Sequence, residues 1–145
     1  MKNHLKDSRG FTLIELLVVL VILGVLGSLV VQKLMPYPDE ARRVSAEVNI
    51  RALEQALQRY KLDNSVYPST EQGLQALIEP PSAGKLAKKW RKGGYIEVIP
   101  KDPWDNEFIY IQPGIHRDFD LMSYGADGEQ GGEDKYADIN NWELD

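Results

Sequence analysis

Hydrophobic positions along this chain fall into two regimes. Residues 11–31, FTLIELLVVLVILGVLGSLVV, carry only Thr12, Glu15 and Ser28 as polar side chains. As a helix rising about 1.5 Å per residue, that run is long enough to span a bilayer core of about 30 Å. It ends near Met35-Pro36-Tyr37-Pro38, where each proline removes a backbone donor and disfavours helix at the residue before it. Beyond the prolines the pattern becomes periodic. Ala46, Ile50, Leu53, Leu57 and Tyr60 recur at spacings of 4, 3, 4 and 3, with Arg42, Arg43, Glu47, Arg51, Glu54 and Arg59 between them. This spacing predicts an amphipathic helix with one buried stripe, capped at Asp39 and ending near Asp63-Asn64.

The remainder reads as short elements joined by turns. Ser69 followed by Gln72 fits a capping box, and it predicts a short helix with Leu74, Leu77 and Ile78 inward and Pro80-Pro81 as its stop. The run KLAKKWRK at 85–92 places five basic residues around Trp90. A solvated loop with one packed tryptophan is the ordinary reading, and a patch for lipid headgroups or an acidic partner is the alternative. Phe108-Ile109-Tyr110-Ile111 and Phe119-Asp120-Leu121-Met122 flank Pro113-Gly114, which predicts two antiparallel strands with a longer loop. The fold class is therefore α+β: a long N-terminal helix, half apolar and half amphipathic, packed on a small antiparallel sheet.

The first ten residues, MKNHLKDSRG, change how the apolar run is read. Lys2, Lys6 and Arg9 outweigh Asp7, and a positive flank holds the N-terminus in the cytoplasm while the rest crosses the membrane. A secretory signal peptide is disfavoured, because the apolar run is too long and no small-x-small cleavage site follows it. Glu15 is the residue that a plain anchor leaves unexplained, since a carboxylate in the bilayer costs a few kcal/mol and normally pairs or faces protein. Snorkelling to the nearby interface is the alternative.

Gly10-Phe11-Thr12-Leu13-Ile14-Glu15, after a basic leader and before an aliphatic stretch, resembles the class III signal of type IV pilins and pseudopilins. That resemblance implies cleavage by a prepilin peptidase between Gly10 and Phe11 and methylation of the new Phe11 amine. It also implies that Glu15 meets the Phe11 amine of a neighbouring subunit during assembly. The implied organisation is a leader (1–10), a transmembrane and assembly helix (11–35) and a periplasmic globular domain (36–145). Where the family usually has a proline near the start of the second half of its helix, this chain has Gln32.

Two further blocks narrow the resemblance. Tyr60 to Pro68 leading into Glu71-Gln72-Gly73-Leu74, and Gly93-Gly94-Tyr95-Ile96 leading to Pro100-Lys101-Asp102-Pro103-Trp104-Asp105-Asn106, are similar to the major pseudopilins of bacterial type II secretion systems. The implied function is a structural subunit that polymerises into the periplasmic pseudopilus and drives export of folded proteins across the outer membrane. The implied partners are further copies of the chain, minor pseudopilins, the inner-membrane assembly platform, the prepilin peptidase and, before assembly, membrane lipid. A subunit of a surface type IV pilus is the competing reading. Such pilins often close their C-terminal loop with a disulfide, and this chain has no cysteine.

The tail from 123 to 142, SYGADGEQGGEDKYADINNW, combines Asp127, Glu129, Glu133, Asp134 and Asp138 with four glycines. Hard oxygen donors on a chain able to fold back on itself suit calcium, and composition alone fits a mobile acidic tail equally well. The spacing is not that of an EF-hand. Among major pseudopilins this loop binds a structural calcium. Carried over, the resemblance implies side-chain ligands Asp127 and Asp134, backbone carbonyls near Tyr124 and Lys135, and a contribution from Asp138.

Charge and chemistry trim the remaining classes. A formal net charge of −5 argues against nucleic acid as a partner. The two histidines are His4 in the leader and His116 in the hairpin loop, and neither a cysteine nor a phosphate-cradling glycine loop is present. The groups that a catalytic site needs are missing, so the expectation is a protein that is not an enzyme.

Overall fold

The computed structural model describes residues 11–34 and 37–144, with backbone alone at 27–34 and 37. The leader, including Gly10, and the Met35-Pro36 step lie outside the described residues. The chain divides into two compact units, with the boundary between Tyr37 and Pro38.

The first unit is helix α1, Leu13–Leu34. Its described large apolar side chains are exposed all round, from 48% at Val18 to 84% at Leu13. Among the described residues no helix is long and apolar enough to cross a membrane, the side chains of α1 being described as far as Leu26.

The second unit is built on helix α2, Tyr37–Asn64. It begins two residues before the cap expected at Asp39, because Pro38 is tolerated in a first helical turn, where its missing N–H has no partner to lose. Asp39 instead lies in that turn and pairs with Arg42 at 3.6 Å. The stripe Ala46, Ile50, Leu53, Leu57 and Tyr60 is buried as its periodicity requires, and Ala56 widens it. Against it pack Leu74, Leu77, Tyr95, Phe108, Tyr110, Phe119, Leu121 and Ile139, which together form the core.

The capping box forms, with Ser69 N–H donating to Gln72 Oε1 at 3.0 Å and Gln72 N–H to Ser69 Oγ at 3.3 Å. The expected helix does not continue as an α-helix. Gly73 takes a left-handed φ of 58° after closing a turn onto Ser69 O, and a short 3-10 helix, Leu74–Leu77, follows. Leu74 and Leu77 point inward as expected.

The sheet has three antiparallel strands in the order β1 (Ile109–Ile111), β2 (Asp120–Ser123) and β3 (Ile139–Asn140). Tyr110 faces Leu121 across the first pair, and Ser123 faces Ile139 across the second. Phe108 and Phe119, expected within the strands, flank them as buried anchors. The third strand lies within the acidic tail and was not expected there. The 85–92 segment is a loop, its Trp90 Nε1 donating to Ala76 O at 2.9 Å.

Candidate functional site: an N-terminal carboxylate and a C-terminal acidic loop

At the start of α1, Thr12 and Glu15 form a reciprocal cap. Thr12 N–H and Thr12 Oγ1 both donate to Glu15 Oε2 at 2.8 Å, and Glu15 N–H donates to Thr12 Oγ1 at 3.3 Å. A threonine followed three residues later by glutamate is a capping-box signature, and it is a signal present in the sequence itself. Its consequence is local. A carboxylate in the first turn complements the helix dipole, and it stands four residues after the exposed Phe11, which precedes the helix. Both Thr12 donors fall on one carboxylate oxygen, Oε2, and among the described residues no donor is seen on the other.

At the other end of the sequence, residues 124–138 leave β2 and return as β3. Gly125 N–H donates to Ser123 Oγ at 3.1 Å, and Asp127 Oδ1 accepts from Glu129 N–H at 3.2 Å. Asp138 Oδ2 accepts from Gly131 N–H at 2.9 Å, closing the loop on itself. Gly132 is required where it stands. A Cβ there would lie 2.4 Å from Tyr136 O, and its φ of 89° is open to glycine. Asp134, with φ 53°, opens a 3-10 turn to Tyr136. Arg43 of α2 donates to Ala137 O at 2.9 Å and so ties the loop's return to the helix.

Of the residues implied as metal ligands, Asp127, Asp134 and Lys135 are exposed, while Tyr124 and Asp138 are half-buried. Among the described residues no three carboxylate or imidazole side chains are gathered to hold a metal. The donor chemistry nonetheless fits a hard cation. The donors implied are carboxylates and carbonyls, and among the described residues Asp138 Oδ1 is a buried oxygen without a hydrogen-bond partner.

A second carboxylate, unforeseen from the sequence, braces this loop's base. Asp102 is buried. Its Oδ1 accepts from Trp104 N–H at 3.0 Å and Asn106 N–H at 2.8 Å, while Oδ2 accepts from Ser123 Oγ at 2.6 Å. The signal was the Asp-Pro-Trp-Asp-Asn run, since an aspartate that bonds the amide two residues on makes an Asx-turn. Ser123 thus links the 102–106 turn, β2 and the start of the acidic loop.

With this arrangement described, comparison with known proteins decides the family. The model of type II secretion system protein G matches residues 33–142, and that of the prokaryotic N-terminal methylation motif matches residues 5–31. The chain belongs to the type II secretion protein G family. Type II secretion system core protein G of Pseudomonas aeruginosa is 50% identical over 138 residues, covering 95% of this chain and 97% of that protein. The protein of the same name from Escherichia coli K12 is 52% identical over 136 residues, covering 94% and 92%. A crystal structure of the major pseudopilin from the type 2 secretion system of enterohaemorrhagic E. coli superposes with a TM-score of 0.68 at 40% identity. It covers 75% of this chain and 93% of that one. The family is one of structural subunits, and these matches favour the secretion reading over that of a surface pilus.

Proposed function

We propose that this chain is the repeating subunit of a type II secretion pseudopilus, matured by prepilin peptidase cleavage between Gly10 and Phe11 and methylation of Phe11. Segment 11–35 then anchors it in the inner membrane, N-terminus cytoplasmic, with the domain from residue 36 in the periplasm. Subunits leave lipid to join a growing homopolymer, together with minor pseudopilins and the assembly platform, and the filament drives export of folded proteins. The observation that carries this reading is the contrast within α1: an apolar surface exposed on all sides, with one carboxylate at its first turn.

The role of Glu15 follows from electrostatics. Removing the leader creates an ammonium at Phe11 on the edge of an apolar bundle. A glutamate on an adjacent subunit is its natural counter-ion, and breaking such a buried pair costs roughly 3–5 kcal/mol. Glu15→Val is expected to insert and be processed normally but to yield no filaments. Wild-type filament yield from Glu15→Val overturns this role, and native protein found intact from Met1 while secretion proceeds overturns the processing.

The acidic loop is proposed to hold one calcium ion through Asp127 and Asp134, carbonyls near Tyr124 and Lys135, and Asp138. Support comes from the orphaned Asp138 oxygen, the hard-donor chemistry and the absence of any cysteine to staple the loop. Ordering so polar a segment costs about 1–2 kcal/mol per residue. An ion bound only by the folded form offsets about 2.7 kcal/mol at a hundredfold excess over Kd. Asp134→Ala should melt in calcium at the temperature of chelated wild type, and an unchanged melt on chelation refutes the site.

A further inference from the structure

Two patches of opposite charge sit far apart on the domain. The 85–92 loop exposes Lys85, Lys88, Lys89, Arg91 and Lys92 with no acidic residue among them. Among the described residues only Arg91 of the five is ion-paired, to Asp63 at 3.2 Å. The 127–138 loop sets five carboxylates against Lys135, and Asp127, Glu129, Glu133 and Asp134 are exposed. Calcium at Asp127 and Asp134 would leave Glu129 and Glu133 uncompensated.

Helix α2 measures the separation. The basic loop is fastened to its C-terminal end, where Lys89 N–H donates to Asn64 Oδ1 at 3.0 Å and Arg91 meets Asp63. The acidic loop is fastened near its N-terminal end, through Arg43 and Ala137 O. Residues 43 and 63 stand about 30 Å apart along a helix at ~1.5 Å per residue. Such charges lie well beyond a Debye length of about 8 Å at physiological salt, so they cannot neutralise each other within one subunit.

We infer that the 85–92 loop of one subunit docks on the 127–134 face of a second copy of this chain, joining the subunits head to tail. A contact between two different patches is heterologous, and a heterologous contact that does not close generates an open helical filament. An antiparallel pair could also match both patches, but it would close at two. Parallel packing rests on the proposal above, in which every subunit leaves the same membrane. A lipid surface would match the basic loop alone and leave the exposed carboxylates of the 127–134 face uncompensated.

The test uses the full-length chain assembled in membranes, where the natural absence of cysteine removes background. Lys88→Cys combined with Glu133→Cys, treated with a short thiol-to-thiol crosslinker in sheared filaments, should give a ladder of dimers, trimers and higher species. Either single variant should give dimers at most. Reversing one patch, with Lys88→Glu and Lys89→Glu or with Glu129→Lys and Glu133→Lys, should abolish filaments while the domain's tryptophan fluorescence stays native. Reversing both together should restore them.

Filaments without a ladder overturn the head-to-tail contact and leave the pseudopilus reading standing, and dimers alone in the double variant overturn it in favour of an antiparallel pair. Loss of binding to anionic vesicles on lysine reversal, without a ladder, assigns the loop to lipid and also overturns it. A wild-type chain that forms no filaments refutes both readings.

Discussion

Helices α1 and α2 follow one another in sequence, 22 and 28 residues long, and they bury their apolar surface by opposite means. In α2 charged residues interrupt the apolar ones at helical spacing, so one stripe is left to pack, and the rest of the domain covers it completely at Ala46, Ile50, Leu57 and Tyr60. In α1 no charged residue interrupts them between Glu15 and Lys33, so no face is distinguished and no described large apolar side chain is covered. The lesson is that amphipathicity gives a helix a partner inside its own chain, whereas uniform hydrophobicity requires lipid or other copies. Each region's stability should therefore answer to different mutations.

The largest expected effect tests that division directly. Leu57→Ala opens a cavity in the α2 stripe and should lower domain stability by about 2–5 kcal/mol. Leu17→Ala removes the same atoms from α1, where the side chain is 54% exposed, and should leave the domain's melt unchanged. All three tryptophans, Trp90, Trp104 and Trp142, lie beyond residue 38. Their fluorescence therefore reports the domain alone, even for the full chain in detergent. Equal shifts from the two substitutions would break the comparison.

A smaller effect separates the regions by pH. Asp120 is buried at the start of β2. Burial raises its carboxyl's pKa, but the N–H of Ile115, the His116 side chain and the N–H groups of His116 and Arg117 outweigh that and hold it below its ordinary value of 3.8. His116 Nδ1 lies 3.0 Å from Asp120 Oδ2, and its ring stacks on Trp142 at 3.9 Å, so the carboxylate also fixes the C-terminus. A depressed pKa stabilises the fold above the ordinary value, and that stability is lost as pH falls through the lower folded value. Asp120→Asn should cost about 1.5–3 kcal/mol at neutral pH, as expected for hydrogen bonds to a charged group. It should also flatten the domain's acid-denaturation curve below about pH 4. A variant whose melt falls with acid as steeply as the wild type's would remove Asp120 from that account.

What could be read beforehand follows the same division between local and distant causes. The α2 stripe was legible because periodicity is written in consecutive residues, while Ala56 was missed because a buried face is wider than one position per turn. The two hairpin strands were legible from their apolar runs, but Phe108 and Phe119 are buried by packing outside the ladder, which shifted the strand ends. The third strand was illegible. Ile139-Asn140 pairs where it does because Asn141 Oδ1 takes the N–H of Leu121, and Asn141 Nδ2 reaches Glu54 of α2. No local pattern encodes partners 20 and 87 residues away. The acidic loop divides likewise, its turns announced by glycines and its tether to Arg43 not.

The smallest effect uses one motif placed in both regions. Thr12-x-x-Glu15 and Ser69-x-x-Gln72 make the same reciprocal bonds, hydroxyl to the third amide and side-chain oxygen back to the first. In the domain, Gln72 also donates to Ala83 O at 2.6 Å and Lys85 O at 3.1 Å, so the box holds a loop as well as a turn. Ser69→Ala should therefore lower the domain's stability by about 1 kcal/mol, the usual worth of such a cap, read as a shift in the tryptophan melt. Thr12→Ala removes an equivalent cap from a helix that contributes nothing to that melt, so the midpoint should not move. Its consequence should fall on Glu15, whose Oε2 loses the hydroxyl donor and keeps only the N–H of residue 12. A shift of the domain's midpoint by Thr12→Ala, comparable to that of Ser69→Ala, would show that α1 is energetically part of the domain and that the two helices do not divide the work.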